Sequence, residues 1–189
     1  MSEPETWSEV YLQKHSYFQN VEKVLATNLG LSELKSGKLI IRNEKGIREN
    51  EIEIDHVWIV NIAKSFVGWG YVFEVKFKNN TFREKENPAK LIQGLLLFSD
   101  NKSEIFTLTT NDASNEMIKS FNFNLFETSD YLTHGINYTI RIIANHIDTF
   151  ITVSNPNTED WKKWEGKISE LSKKLADQSG NIKMKDFFK

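Results

Sequence analysis

Two stretches of the sequence decide how the chain folds: EIEIDHVWIV at residues 51–60 and YVFEVKFK at residues 71–78. The first alternates between charged and apolar residues and then becomes continuously apolar, which is typical of a strand that enters a buried sheet. The second alternates for most of its length, so its two faces differ in polarity. The glycines of Gly68-Trp69-Gly70 break the chain between them and predict the turn of an antiparallel hairpin.

The elements around this hairpin follow from periodicity and turn residues. Residues 16–29 are predicted to form a helix, because a hydroxyl-x-x-Gln capping pattern opens the stretch and apolar residues recur at helical spacing before Gly30. Residues 38–42 and residues 104–110 are short and rich in β-branched residues, and each predicts a strand.

A further helix is predicted to begin at Asn87-Pro88, since proline is favoured at the first helical position. Its apolar residues would form the face that packs on the core: Leu91, Ile92, Leu95, Leu96 and Phe98. This helix would separate the third strand from the fourth.

The C-terminal part predicts a hairpin over residues 138–153 and a last helix over residues 159–177. Apolar residues of that helix repeat at spacings of three and four and form a seam: Trp161, Trp164, Ile168, Leu171 and Leu175. The seam has two possible uses, docking on the core of its own chain or forming a dimer interface.

The order of elements, αβββαβ followed by a hairpin and a helix, predicts an α/β fold with a mixed sheet. The sequence contains no internal repeat, low-complexity tract or linker rich in proline and glycine. We therefore expect one domain over residues 1–189, with a core at about 16–110 and a C-terminal extension at about 111–189.

The composition of the chain excludes several classes of protein and of binding site. The absence of cysteine excludes disulfides and thiolate metal sites. No run of eighteen apolar residues occurs, and the acidic start Met-Ser-Glu-Pro-Glu is not typical of a secretory signal, so we expect a cytoplasmic protein without a membrane span. A net charge of −2 gives no overall basic field for nucleic acid, so any DNA contact must rest on local basic groups.

Asp55, Glu74 and Lys76 are the residues that suggest chemistry. Residues two apart on a strand share a face, so Glu74 and Lys76 project together from an otherwise apolar strand. An antiparallel hairpin would bring Asp55 beside them. Carboxylate oxygens suit Mg²⁺, a metal-bound water can attack a phosphodiester, and a neighbouring lysine can orient that water. The alternative is a Glu–Lys pair on a solvated strand face.

Ile54-Asp55, then eighteen residues, then Glu74-Val75-Lys76 resembles the motif of the PD-(D/E)XK nuclease superfamily. The resemblance covers residues 16–110, because the predicted αβββαβ order is also that of the restriction-endonuclease-like core. It implies that Asp55, Glu74 and the Val75 carbonyl hold Mg²⁺ or Mn²⁺, while Lys76 serves the attacking water. Ile54 departs from the family's pattern, which has proline there.

Further residues are candidates beside this motif. Glu22 lies on the apolar stripe of the first helix, where it resembles a metal-site glutamate of several family branches; a position at the helix edge in solvent is equally compatible. Lys78 and Lys90 supply positive charge beside the site and are predicted to bind DNA. Gln93 is a further candidate for DNA binding, because it resembles a glutamine of the exonuclease branches, although Leu97 stands where those have tyrosine.

The histidines indicate no second site. His146 and Asp148 could be read as a metal pair, but Asn145-His146 is typical of a hairpin tip. The other histidines, His15, His56 and His134, show no spacing to a partner.

The resemblance implies a Mg²⁺-dependent DNA endonuclease. The extension past the core favours a restriction-type enzyme, and cutting both strands of a palindrome favours a homodimer. The alternatives are a structure-selective nuclease of recombination, repair or viral origin, similar to a resolvase, and a non-catalytic DNA-binding or assembly module on the same fold.

Overall fold

The computed structural model describes residues 7–42, 44–78, 90–99, 102–110, 136–155 and 158–189. The helices and strands of these residues are, in chain order, α1 (Trp7–Asn28), β1 (Gly37–Arg42), β2 (Arg48–Lys64), β3 (Gly68–Lys78), β4 (Leu91–Ser99), β5 (Lys102–Thr110), β6 (Ile136–Ala144), β7 (Ile147–Ser154), α2 (Glu159–Ser179) and α3 (Ile182–Phe187).

All seven described strands belong to one sheet with the order β5-β4-β3-β2-β6-β7. β2 is long enough to pair with two strands along the same edge: β1 pairs with residues 48–54 and β6 pairs with residues 56–64. β3 occupies the other edge of β2. Each described pairing is antiparallel, so the predicted mixed sheet is wrong in the part of the chain that the structure describes.

Helices cover both faces of the sheet, and this explains the continuous apolar run in β2. Val57 and Ile59 point toward α1 and pack with its buried residues. Trp58, Val60 and Ile62 point the other way and pack against α2 and α3. A strand covered on both sides must be apolar at successive positions, as the sequence of residues 57–60 predicted. We call the two sides the α1 face and the α2 face.

The predicted helix over the apolar residues from Leu91 to Phe98 is wrong, because this segment is strand β4. Leu95 and Leu97 contribute to the core on the α2 face, whereas Leu96 contributes to the core on the α1 face. A continuous apolar run in a strand also contains apolar residues at the i, i+3 and i+4 spacings of a helix. Periodicity alone therefore does not distinguish a strand that is buried on both faces from a buried helix. The proposed start at residues 87–88 lies outside the described residues.

The other predicted elements are confirmed, although the first helix extends nine residues further toward the N-terminus than predicted. α1 begins at Trp7 rather than at residue 16, and the C-terminal hairpin consists of β6 and β7, with Asn145-His146 at its turn. The apolar seam of α2 packs on the sheet, with four of its residues buried: Trp161, Trp164, Ile168 and Leu175. The α/β class is therefore confirmed, while a strand replaces the helix in the αβββαβ order.

None of the helices in the described residues is long and apolar enough to cross a membrane.

Candidate functional site

A β-bulge brings the proposed acidic and basic residues together. Ile54 pairs with Phe77 and His56 pairs with Lys76, so Asp55 is the additional residue on β2. An additional residue shifts the alternation of side chains, and bulges of this kind are common beside active sites. Because of the shift, His56 lies on the α2 face together with Glu74 and Lys76.

Glu74 lies at the centre of this group and is 1% exposed. Its cross-strand neighbours are Trp58 on β2 and Gln93 on β4. The Gln93 amide donates a hydrogen bond of 2.7 Å to Glu74 Oε2. Gln93 is itself 8% exposed, so the hydrogen bond lies in the interior of the protein. Buried carboxylates require such donors because removal from water is costly.

The imidazole of His56 lies between two carboxylates. Its Nε2 is 3.1 Å from Glu74 Oε1, and its Nδ1 is 3.2 Å from Asp55 Oδ2. An ionised carboxylate can only accept, so both contacts are hydrogen bonds at once only when both ring nitrogens carry a hydrogen. A cationic ring in this position would offset the charge of the two acids that it joins.

Two lysines complete the group on its solvent side. Lys76 Nζ is 3.4 Å from Asp55 Oδ2, and Lys78 Nζ is 3.1 Å from Glu53 Oε1 and 3.9 Å from Asp55 Oδ1. Burial acts to raise the pKa of Asp55, but hydrogen bonds from His56 and Lys76 and the charge of Lys76 outweigh it, so its pKa lies below the usual value. Asp55 is therefore ionised at neutral pH.

The structure brings Asp55, Glu74 and Lys76 together on one face and adds Gln93 and Lys78 to the same group. Gln93 is buried and bonded to Glu74, which leaves its amide inside the network rather than on a DNA-facing surface. Lys90 is exposed and directly precedes β4, and its Nζ lies 5.9 Å from the centre of the ring of Phe77, a residue of the α1 face, so its amine lies on the other face of the sheet from this group.

Glu22 is not part of this group. It pairs with Arg141, whose Nε is 2.8 Å from Glu22 Oε1. Arg141 is the cross-strand neighbour of Ile59, which packs under α1, so this ion pair lies on the α1 face. The sheet separates Glu22 from Glu74, so the structure does not bring Glu22 to the group that contains Asp55 and Glu74, and its carboxylate is paired with Arg141 rather than free in solvent.

The donor types of the site fit Mg²⁺, but the position of His56 does not. Oxygens that share one Mg²⁺ lie about 2.1 Å from it, hence at most about 4.2 Å apart. The His56 ring lies between Asp55 Oδ2 and Glu74 Oε1, and each oxygen is a hydrogen-bond distance from one ring nitrogen. The two oxygens are therefore too far apart to bind the same ion. No group of three or more metal-binding side chains occurs among the described residues. Joint binding of one ion therefore requires His56 to turn away.

Val75 occupies the position whose carbonyl the resemblance implies as a ligand. Its side chain is buried on the α1 face, and β3 is paired along both edges at this residue. The carbonyl thus lies in the plane of the sheet between neighbouring strands, where it takes part in the pairing.

His56 is the residue of the site that sequence reasoning missed. Simple alternation along β2 places Asp55 and His56 on opposite faces, and only the bulge puts them together. The available signal was a polar residue next to Asp55 inside an otherwise apolar run.

Comparison with known protein families, with curated proteins and with solved structures finds no match to this chain.

Proposed function

We propose that this chain is a Mg²⁺-dependent deoxyribonuclease that hydrolyses phosphodiester bonds, with Asp55, Glu74 and Lys76 as its catalytic residues. The supporting observation is that Glu74 and Lys76, 19 and 21 positions after Asp55 in sequence, meet it at one bulge, where the ammonium group of Lys76 lies 3.4 Å from the Asp55 carboxylate. The PD-(D/E)XK-like motif gives this group a chemical interpretation.

Each residue has a separate task in this proposal. Asp55 and Glu74 would hold the metal ion after His56 has turned away, and the ion would supply a nucleophilic water and offset charge on the phosphate. Lys76 is 19% exposed at its side chain, so it can reach both the carboxylate and an arriving substrate. Lys78 would attract the phosphate backbone of DNA, and Lys90 would do so only from the other face of the sheet.

The restriction-endonuclease-like core enters the proposal in a modified form. α1 and the strands β1 to β3 follow the family's order, whereas β4 stands where that order has a helix. A restriction-type enzyme would also act as a homodimer, which light scattering can test. The buried face of α2 is unavailable for such an interface, because it already covers the sheet.

The hydrogen bonding of Glu74 favours a second candidate, a non-catalytic DNA-binding or assembly module. Both of its carboxylate oxygens already have partners, His56 and Gln93, inside the protein. A fully satisfied buried network can serve the stability of a fold without any chemistry.

Cleavage assays on two DNA forms separate these possibilities. Purified protein is incubated with supercoiled plasmid and with a branched junction, each in Mg²⁺, Mn²⁺ or EDTA. The nuclease proposal predicts cleavage with either metal and none in EDTA. Cuts at fixed plasmid positions support a restriction-type enzyme, and cuts confined to the junction support a resolvase-like one. DNA binding without cleavage in any metal would contradict the nuclease proposal and support the module.

A further inference from the structure

The turn between β2 and β3 carries an exposed apolar surface. Phe66 is 95% exposed, and more than half of the surface of Val67 and of Trp69 is exposed as well. We call these three residues the β2–β3 tip. Phe66 and Val67 lie beyond the described pairing with both neighbouring strands, which ends at Lys64 on β2 and at Gly70 on β3. The candidate site lies at the opposite end of β2, about 26 Å away along the strand.

The backbone of the tip is strained at Phe66, where φ is 65°. This left-handed region favours glycine and, among the other residues, asparagine. The two other non-glycine residues with a positive φ in the described ranges are indeed asparagines, Asn145 and Asn155. A bulky aromatic residue at such a position costs free energy, and interior packing does not compensate it, because Phe66 is exposed. Neither the backbone nor the core thus explains a phenylalanine here, and a binding role does.

The area of the tip is too small for a stable complex with another protein. Its three side chains present roughly 400 Å² to solvent, whereas each partner of a stable interface contributes about 800 Å². The other exposed large apolar residues of the described chain belong to other segments: Ile40, Ile47, Ile147 and Ile182. A lipid surface needs no complementary shape, and its affinity for a protein increases with the apolar area that enters it. The size of the tip therefore favours a lipid surface.

The polar groups of the tip favour lipid over nucleic acid. The Val67 amide donates a hydrogen bond of 3.1 Å to the Lys64 carbonyl, so the turn satisfies this donor without water. No acidic residue occurs from Asn61 to Phe73, and Lys64 is the one basic residue of that stretch. The Lys64 ammonium already donates to the Phe187 carbonyl. Aromatic residues that stack on nucleic-acid bases are accompanied by cations that follow the phosphates, and this stretch does not supply them.

We propose that the β2–β3 tip binds the surface of a lipid bilayer. Phe66 and Val67 enter the boundary between the headgroups and the acyl chains, and Trp69 lies at the level of the headgroups, where tryptophan is enriched in membrane proteins. Burial of apolar area, rather than charge, drives this binding. The proposal does not involve the candidate nuclease residues, and it stands whether or not the protein cuts DNA.

Vesicle binding by the full chain tests this proposal. The protein is sedimented with small unilamellar vesicles of phosphatidylcholine, alone or mixed with phosphatidylserine, and a single-stranded oligonucleotide is titrated in parallel. We expect binding to both kinds of vesicle, with affinity that changes less than about tenfold between low and high salt, because one lysine contributes little. Absence of binding to both kinds of vesicle would overturn the proposal. So would a tip that binds the oligonucleotide instead of the vesicles.

Phe66→Asn separates a binding role from a structural one. Asparagine tolerates the left-handed backbone, so the variant should melt at the wild-type temperature or above it. Loss of the aromatic ring should nevertheless weaken vesicle binding by about tenfold or more. A clear fall in the melting temperature would mean that the fold itself uses the Phe66 side chain, and this result would remove the main support for the proposal.

Ile147→Asn is the matched control. Ile147 is also more than half exposed, but it begins β7 at the bulge end of the sheet, away from the tip. Its replacement removes a comparable exposed apolar group and should leave vesicle binding unchanged. Equal losses of vesicle binding in Phe66→Asn and Ile147→Asn would indicate general adhesion of apolar surface and would contradict a site at the tip.

Discussion

Replacing Glu74 by alanine tests the buried network of the candidate site. The carboxylate is 1% exposed and accepts hydrogen bonds from His56 Nε2 and Gln93 Nε2. Alanine would leave these two donors buried without an acceptor, and each such loss costs about 1–3 kcal/mol. Because His56 can still bond to Asp55, we expect the free energy of unfolding to fall by about 2–5 kcal/mol.

The size of this effect makes it easy to measure. A domain of this length changes its melting temperature by about 2–4 °C per kcal/mol, so Glu74→Ala should melt roughly 4–20 °C below the wild type. Thermal unfolding is followed by circular dichroism in EDTA, which removes any contribution of bound metal. Glu53→Ala is the matched control, because its partner Lys78 is half exposed and such pairs contribute only about 0–1 kcal/mol.

Two results would refute this reasoning about Glu74. If Glu74→Ala melts at the wild-type temperature, its carboxylate is not held by His56 and Gln93 as described. If it melts higher, repulsion between the carboxylates of Glu74 and Asp55 outweighs the hydrogen bonds that Glu74 accepts. Glu74→Gln provides a milder test. The amide oxygen of the new glutamine can accept a hydrogen bond from either His56 or Gln93, but its NH₂ group then faces the other of these two donors. Its melting temperature should lie between those of the wild type and the alanine variant.

Three further predictions concern packing, pH and metal. Gly94→Ala should reduce the free energy of unfolding by about 1–3 kcal/mol, because a Cβ there would collide with the Phe106 carbonyl and the Phe73 ring. Gly166→Ala, in helix α2 where a Cβ meets no other atom within 4 Å, should instead raise it by up to about 1 kcal/mol. Urea unfolding midpoints measure both effects, and equal midpoints for the two variants would contradict the close packing around Gly94. Since the pKa of Asp55 is lower in the folded than in the unfolded protein, its contribution to stability is present above the unfolded pKa, about 3.9, and is lost as pH falls through the folded value. Wild-type stability should therefore fall more steeply than that of Asp55→Asn as pH decreases below about 5, and parallel acid titrations would disprove the role of Asp55. Mg²⁺ at about a hundred times its dissociation constant should stabilise the wild type by about 2.7 kcal/mol, and an equal shift in Asp55→Ala would exclude Asp55 as a ligand.

The sheet was predictable where one property decided the structure. Alternation along β3 and the apolar run of β2 identified both strands, and the glycines between them identified their antiparallel pairing. These patterns are visible in the sequence because residues of both strands pack into a hydrophobic core on each face of the sheet. β4 was not predictable in this way. Its apolar residues face two different cores, and Gly94 fits closely against Phe73 only after the sheet has formed. Such contacts depend on residues far away in sequence, which local periodicity does not contain.

The candidate site was predictable only in part for a related reason. Glu74 and Lys76 lie two residues apart on a strand, so their common face follows from the geometry of any strand. The position of His56 depends on the bulge at Asp55, and no residue of that stretch indicates a bulge by itself. The partner of Glu22 is Arg141, 119 residues further along the chain, and only the packing of α1 on β6 brings them together.

The most direct test of the proposed nuclease is the rate of strand cleavage by Lys76→Ala, compared with wild type under single-turnover conditions in Mg²⁺. Lys76 lies beside Asp55 at the bulge, while Lys102, at the start of the edge strand β5, is exposed and supplies the matched control Lys102→Ala. The proposed nuclease mechanism predicts that Lys76→Ala loses about 10²–10⁴ in cleavage rate with its DNA affinity largely retained, and that Lys102→Ala cuts as the wild type does. Cleavage by a folded Lys76→Ala at the wild-type rate would contradict it.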